Sequence, residues 1–224
     1  MKKTFRIKSI GILGMVLFSL TAAAQKKLTE GSVLYDITIV SNSDKPVNAE
    51  FLNGATNAVY IKPGKTRTEI VSSLGTQTTI TNQIGPKKEI TILKEYGEQK
   101  YMINLTPEDW TEVNKKYEAV TFTYDNSATK TIQGYVAKKA IGQLNDSATF
   151  IVWYTPDIIV DSKDFQYVNR NLPGLALEYE TTLGKLKMTY TASKVSFAPV
   201  PVSKFELPKS GFRVMSYKES KGGK

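Results

Sequence analysis

Residues 148–180, ATFIVWYTPDIIVDSKDFQYVNRNLPGLALEYE, decide how the rest of the chain is read. The dense apolar run Phe150, Ile151, Val152, Trp153 and Tyr154 predicts a strand, Pro156 breaks it, and Leu172-Pro173-Gly174-Leu175 feeds a second strand. Common hairpin loops hold about two to five residues, and the segment from Pro156 to Pro173 is far longer. It predicts an irregular loop that folds over part of the molecule. In the second strand Leu175, Leu177 and Tyr179 share a face opposite Glu178 and Glu180, the alternation of a half-buried strand.

Outward from this stretch, short strands recur with Gly or Pro between them. Val33, Tyr35, Ile37 and Ile39 repeat every second residue, residues 41–54 read as a polar loop, and strands follow over 56–62, 66–73, 76–84, 88–93 and 99–105. Strands resume at 119–124, turn at Asp125-Asn126, and continue over 131–141, where Gly134 suggests a bulge or close backbone approach. In Leu186, Met188 and Tyr190 the apolar residues are even-numbered, whereas Val195 and Phe197 are odd. A strict two-residue period cannot survive that change, so a bulge is expected near Ala192–Lys194. A final strand is expected over 212–217. One helix is written clearly: Thr106 is a candidate N-cap, Pro107 suits the first turn, and Glu108 and Asp109 put negative charge there. Trp110, Val113 and Tyr117 form its single apolar stripe. The fold class is therefore mainly β: a strongly curved antiparallel sheet, or unclosed barrel, with one short covering helix and a lid loop.

The first 24 residues read as an export signal. Lys2, Lys3, Arg6 and Lys8 precede the apolar stretch Ile10–Leu20, and Ala22-Ala23-Ala24 offers a small-residue cleavage site. That stretch is shorter than the roughly 20 residues a spanning helix needs. Residues 25–217 are expected to form one β-rich domain and 218–224 a disordered basic tail. The 200 residues after the signal suffice to bury about 70% of the unfolded chain's surface. Maturation leaves 26 basic against 21 acidic residues, a net charge of +5. The lysines are scattered rather than gathered on one face, so no nucleic-acid partner is expected. With no Cys there is neither a disulfide nor a lipid-modified Cys, which predicts a periplasmic protein without a lipid anchor or a transmembrane segment. Secretion, or a place at the periphery of the outer membrane, remains open.

Zero His and zero Cys exclude the Ser-His-Asp and Cys-His nucleophile systems and the usual zinc sites. No phosphate-binding or dinucleotide fingerprint is present. Ser127-Ala128-Thr129-Lys130 matches Ser-x-x-Lys, but it falls in an expected turn and lacks its partner motifs. Asp157, Asp161 and Asp164 do not have the calcium-loop spacing. Glu178 and Glu180 read as a wet strand face. No catalytic residue, cofactor or metal ligand is assigned.

Three blocks, Ile132-Gln133-Gly134-Tyr135 running to Lys139-Ala140, Trp153-Tyr154-Thr155, and Asn171-Leu172-Pro173-Gly174-Leu175-Ala176, together resemble the GLPGLI family of exported envelope proteins. Downstream, Leu207-Pro208 followed by Gly211-Phe212 looks like the closing element of related exported domains. The first and sixth positions of the GLPGLI hexapeptide differ here, and the family's Gly-Pro pair has no counterpart. The resemblance implies a fold similar to the lipoprotein carriers of the bacterial envelope (LolA- and LolB-like), an unclosed barrel with a helix and loops over its concave side. It also implies that Asp146-Ser147-Ala148 matches an O-glycan acceptor triplet.

A half-barrel leaves an apolar concave face that something must cover. The helix bearing Trp110 and the loop Pro156–Pro173 are the candidate covers, and Trp110, Trp153, Phe165, Leu172 and Leu175 are the expected ligand-lining residues. The leading expectation is a non-catalytic binding module for a hydrophobic or acyl-chain ligand, or for a lipoprotein. The alternative is a structural or assembly partner of an envelope protein with a filled core, and a carboxylate-based hydrolase comes after both.

Overall fold

The computed structural model describes residues 25–41, 54–162, 164–183 and 186–222. The expected export signal, and nearly all of the polar loop after residue 41, lie outside them.

Alternating apolar and polar residues set out a run of strands: β1 (Lys26–Leu28), β2 (Gly31–Ser41), β3 (Thr56–Lys62), β4 (Lys65–Ser72), β5 (Gly75–Ile84), β6 (Lys87–Tyr96) and β7 (Gln99–Leu105). Helix α1 (Pro107–Asn114) and a tight turn at Lys115–Tyr117 follow. Next come β8 (Thr121–Ile132), β9 (Tyr135–Gln143), β10 (Thr149–Thr155), β11 (Ile158–Val160), β12 (Leu175–Leu183) and β13 (Leu186–Ser196). The chain closes with β14 (Arg213–Ser216) and a single helical turn, α2 (Tyr217–Ser220). Twelve of the strands form one curved sheet in the order β14-β7-β6-β5-β4-β3-β2-β13-β12-β10-β9-β8, which does not close on itself.

Two meanders make up this ladder. Strands β2 to β7 pair each with the next, as do β8, β9, β10, β12 and β13, and the seam between the meanders is the antiparallel pair β2–β13. The seam carries the expected break in period: its register shifts between Ala192 and Lys194, so Tyr190 and Val195 both reach the core side. At one end of the ladder β14 pairs with β7 in parallel, so the sheet is not wholly antiparallel.

Strand β7 lies near one edge and β8 forms the other, so the chain between them must cross the sheet. That crossing is α1 with the turn after it. Its start is capped as expected: Thr106 Oγ1 accepts from Asp109 N, and the Asp109 carboxylate accepts from Thr106 N at 2.8 Å. Trp110 and Val113 rest on Ile90, Ile92, Ile103 and Leu105 of β6 and β7.

The other face of the sheet is also covered. Residues 197–212 run back across it, burying Val200 and Phe205 and packing Phe212 on Ile80, Leu93 and Met102. Glu30 anchors this strap by accepting from Lys62 Nζ and, at 2.9 Å, from Val200 N. Hydrogen bonds from a cation and a backbone amide draw its carboxyl below its ordinary value of 4.5, Lys62 first and Val200 second.

Three local expectations change. Asp125-Asn126 is not a turn but a bulge within β8, where Asp125 Oδ1 accepts from Ser127 N, Ser127 Oγ and Ala128 N. Gln133 and Gly134, both at positive φ (50° and 78°), make the β8–β9 hairpin turn instead of a mid-strand bulge. The last strand stops at Ser216, Tyr217 joins residues 218–220 of the expected tail in a helical turn, and Lys221 reaches back to Glu112 of α1 at 2.7 Å.

Candidate functional site

The loop after Pro156 is more ordered than the sequence predicts. Its first part, β11, pairs in parallel with β1, and Lys26 N donates to Asp157 O at 2.7 Å. Its middle, Asp164–Asn169, coils tightly and lies over β4. Its end explains the glycine of Leu172-Pro173-Gly174-Leu175, because a Cβ on Gly174 would collide with the Thr155 carbonyl.

The coil and α1 are stitched into one roof. Trp110 meets Tyr167 edge-on at 6.0 Å between ring centres, and the Arg170 guanidinium stacks 3.9 Å from the centre of the Tyr167 ring. Arg170 Nη2 also donates to Glu118 O at 2.6 Å, and Asn171 Nδ2 to Val120 O at 3.2 Å. Beneath the roof Gln166 Nε2 donates to the hydroxyl of Tyr35, which itself donates to Ala176 O at 2.8 Å. Tyr35 is fully buried and packs edge-on to Tyr179, which stacks flat on Tyr190 at 4.7 Å. Burial pushes all three phenols above their ordinary value of 10.

Between roof and sheet lies a hollow of about 190 Å3. Its floor under the coil is a threonine quartet made by register: Thr66 pairs with Thr81 and Thr68 with Thr79, all on one face of β4 and β5. Asn57, Thr181 and the stacked tyrosines continue the wall, and Trp110, Phe165 and Gln166 close it from above. No Lys, Arg, Asp or Glu among the described residues lines it. Two of the lining residues carry a buried polar atom without a hydrogen-bond partner, Asn57 Oδ1 and Trp110 Nε1, whereas the Thr181 side chain hydrogen-bonds to the Tyr190 hydroxyl. Thr66 and Thr81 also border a wider cleft of about 460 Å3 that brings in Lys62, Lys65 and Asp161. On the far side, Tyr117, Val168 and Thr181 border a further space of about 280 Å3.

The five residues expected from the sequence separate. Trp110 and Phe165 both line the hollow. Leu172 joins Phe165 in an adjoining gap of about 80 Å3 within the loop. Leu175 is core, opposite Thr155, and borders none of these spaces. Trp153 alternates to the other face of β10 from the buried Val152, and Lys130, paired with Glu178, lies 4.5 Å over its ring. The sequence reading missed the quartet, Asn57 and the tyrosines, because alternating Thr in a strand ordinarily marks a wet face. The recoverable signal was two adjacent strands, Lys65–Ser72 and Gly75–Ile84, each carrying Thr at alternate positions.

Among the described residues no helix is long and apolar enough to cross a membrane, and no group of three His, Cys, Asp or Glu could hold a metal ion. Neither a family model nor a curated protein matches the chain. Among solved structures, it is similar to the crystal structure of an uncharacterized conserved protein from Thermus thermophilus. The two share 12% identity over 84% of this chain and 91% of that one, with a TM-score of 0.47.

Proposed function

We propose that the chain is an exported, non-catalytic binding module that takes a small ligand into the hollow between the sheet and its roof. The observation that carries this is a lined, roofed space whose walls hold unpaired buried polar atoms, since native proteins rarely leave such atoms without a partner. Trp110, Phe165, Ile70 and Val168 supply apolar surface, which supports a ligand that is at least partly hydrophobic, as in the carrier-like and GLPGLI resemblance. The lack of any carboxylate in the described wall supports binding over hydrolysis. The signal-like residues 1–24 support export to the periplasm.

Mass spectrometry of small molecules released on denaturing the protein, purified from its native envelope, tests this. A stoichiometric compound is expected. An empty protein whose tryptophan emission also ignores every ligand offered would leave the filled-core assembly role in its place.

A further inference from the structure

We infer that the hollow takes a neutral polyhydroxylated ring, a saccharide, in preference to an acyl chain. This rests on the hollow being a ligand site at all. A site for an acyl chain would need aliphatic side chains along the floor of the hollow. Here that floor carries Thr66, Thr68, Thr79 and Thr81, each hydroxyl able both to donate and to accept. An alkyl chain laid on them would strip their water and return nothing. One aliphatic part of the sheet's inner face, Ile90, Ile92, Ile103 and Leu105, is already taken by α1, and another, Val33, Val59 and Ile61, is closed into the core.

Charge narrows the class further. No ionised side chain among the described residues lines the hollow itself, so a phosphate, carboxylate or ammonium buried there would have no counter-ion in its wall. Lys62, Lys65 and Asp161 enter only in the cleft beyond Thr66 and Thr81, and Lys88 Nζ lies behind the Trp110 ring. The unpaired atoms narrow it again. Asn57 Oδ1 can only accept and Trp110 Nε1 can only donate. A ligand of carbonyls satisfies the second but not the first, and a ligand bearing only N–H groups does the reverse. A hydroxyl satisfies both.

Trp110, Tyr179 and Tyr190 add aromatic surface to the wall, against which the C–H groups of a sugar ring can pack while its hydroxyls meet the threonines. The hollow of about 190 Å3 is several times the ~30 Å3 share of one water. Its wider continuation past Thr66 and Thr81 leaves room for further units of a chain.

The chain's two tryptophans make the test direct. In a Trp153→Phe background, Trp110 is the sole tryptophan reporter. Its emission is followed while the protein is titrated with glucose, N-acetylglucosamine and short neutral oligosaccharides of each, and separately with palmitate. The expected result is a saturable change with at least one saccharide and none with palmitate. A Thr68→Val, Thr79→Val double variant, which keeps the shape and removes two hydroxyls, should weaken that saccharide about tenfold or more. A saturable response to palmitate with none to the saccharides overturns the inference and leaves the binding module standing. Silence towards both, together with no co-purifying small molecule, removes both.

Discussion

The hydroxyl of Tyr35 holds two things together, a strand of the seam and the coil of the roof. Replacing it by Phe strands the Ala176 carbonyl and the Gln166 amide in a buried place. Tyr35→Phe should cost about 1–3 kcal/mol in denaturant unfolding, and should expose Gln166 and its neighbours to faster amide exchange. The same cluster sets the alkaline limit. Because burial raises the folded-state values of Tyr35, Tyr179 and Tyr190 above 10, an unfolded chain loses these protons first. Stability should therefore be complete below pH 10 and fall as pH rises above it. Tyrosinate absorbance should lag in the native protein and appear together with unfolding. A native titration of all twelve tyrosines at ordinary values would contradict the buried cluster. None of this was legible in the sequence. Tyr35, Tyr179 and Tyr190 were visible as inward-facing strand residues, but that they meet one another depends on which strands are neighbours, which periodicity does not encode.

At the scale of elements, legibility followed how local the cause was. The helix was readable to its cap because Thr106, Pro107 and Asp109 act within one turn, and the bulge at Ala192–Lys194 was readable because a period change cannot be hidden. Thr106→Ala should cost about 1 kcal/mol and loosen the roof without changing the sheet. The β8 bulge and the β1–β11 pair were not legible. The first depends on a side chain capping its own backbone, and the second joins residues some 130 positions apart. Among the loop's residues, Gly174 is fixed by a neighbour, the Thr155 carbonyl, and not by its own conformation. Gly174→Ala should therefore destabilise the protein by more than a helix-interior exchange would, about 2 kcal/mol or more. Gly211→Ala provides the contrast. Nothing crowds that position, so any cost there comes from its positive φ of 83° alone. Equal losses at the two sites would refute the steric account of the hexapeptide glycine.

On the scale of the whole molecule, the curved sheet works because both faces are covered: the roof on one side and the strap of residues 197–212 on the other. The strap's buried Phe205 should be worth roughly 3 kcal/mol or more on truncation to Ala. Its anchor should respond to acid. Glu30's folded value is drawn below 4.5, so the contribution of the Lys62 and Val200 contacts is present above that pH and fades as pH falls through the lower folded value. Exchange at the Val200 amide should quicken over that interval before the sheet melts. The composition and strand punctuation already dictated a curved β domain with a covering helix, whereas the strap, lying in a Pro-rich stretch without period, left no sequence signal.

The seam between β2 and β13 has a further consequence, for the order in which the protein is assembled. Each meander is made of neighbours in sequence and can zip locally, but β2 waits for a partner about 150 residues later in the chain. Pairing across such a separation is slow. During vectorial synthesis the N-terminal meander must therefore persist with an unmatched edge until β13 emerges, so the seam is among the last parts of the sheet to close.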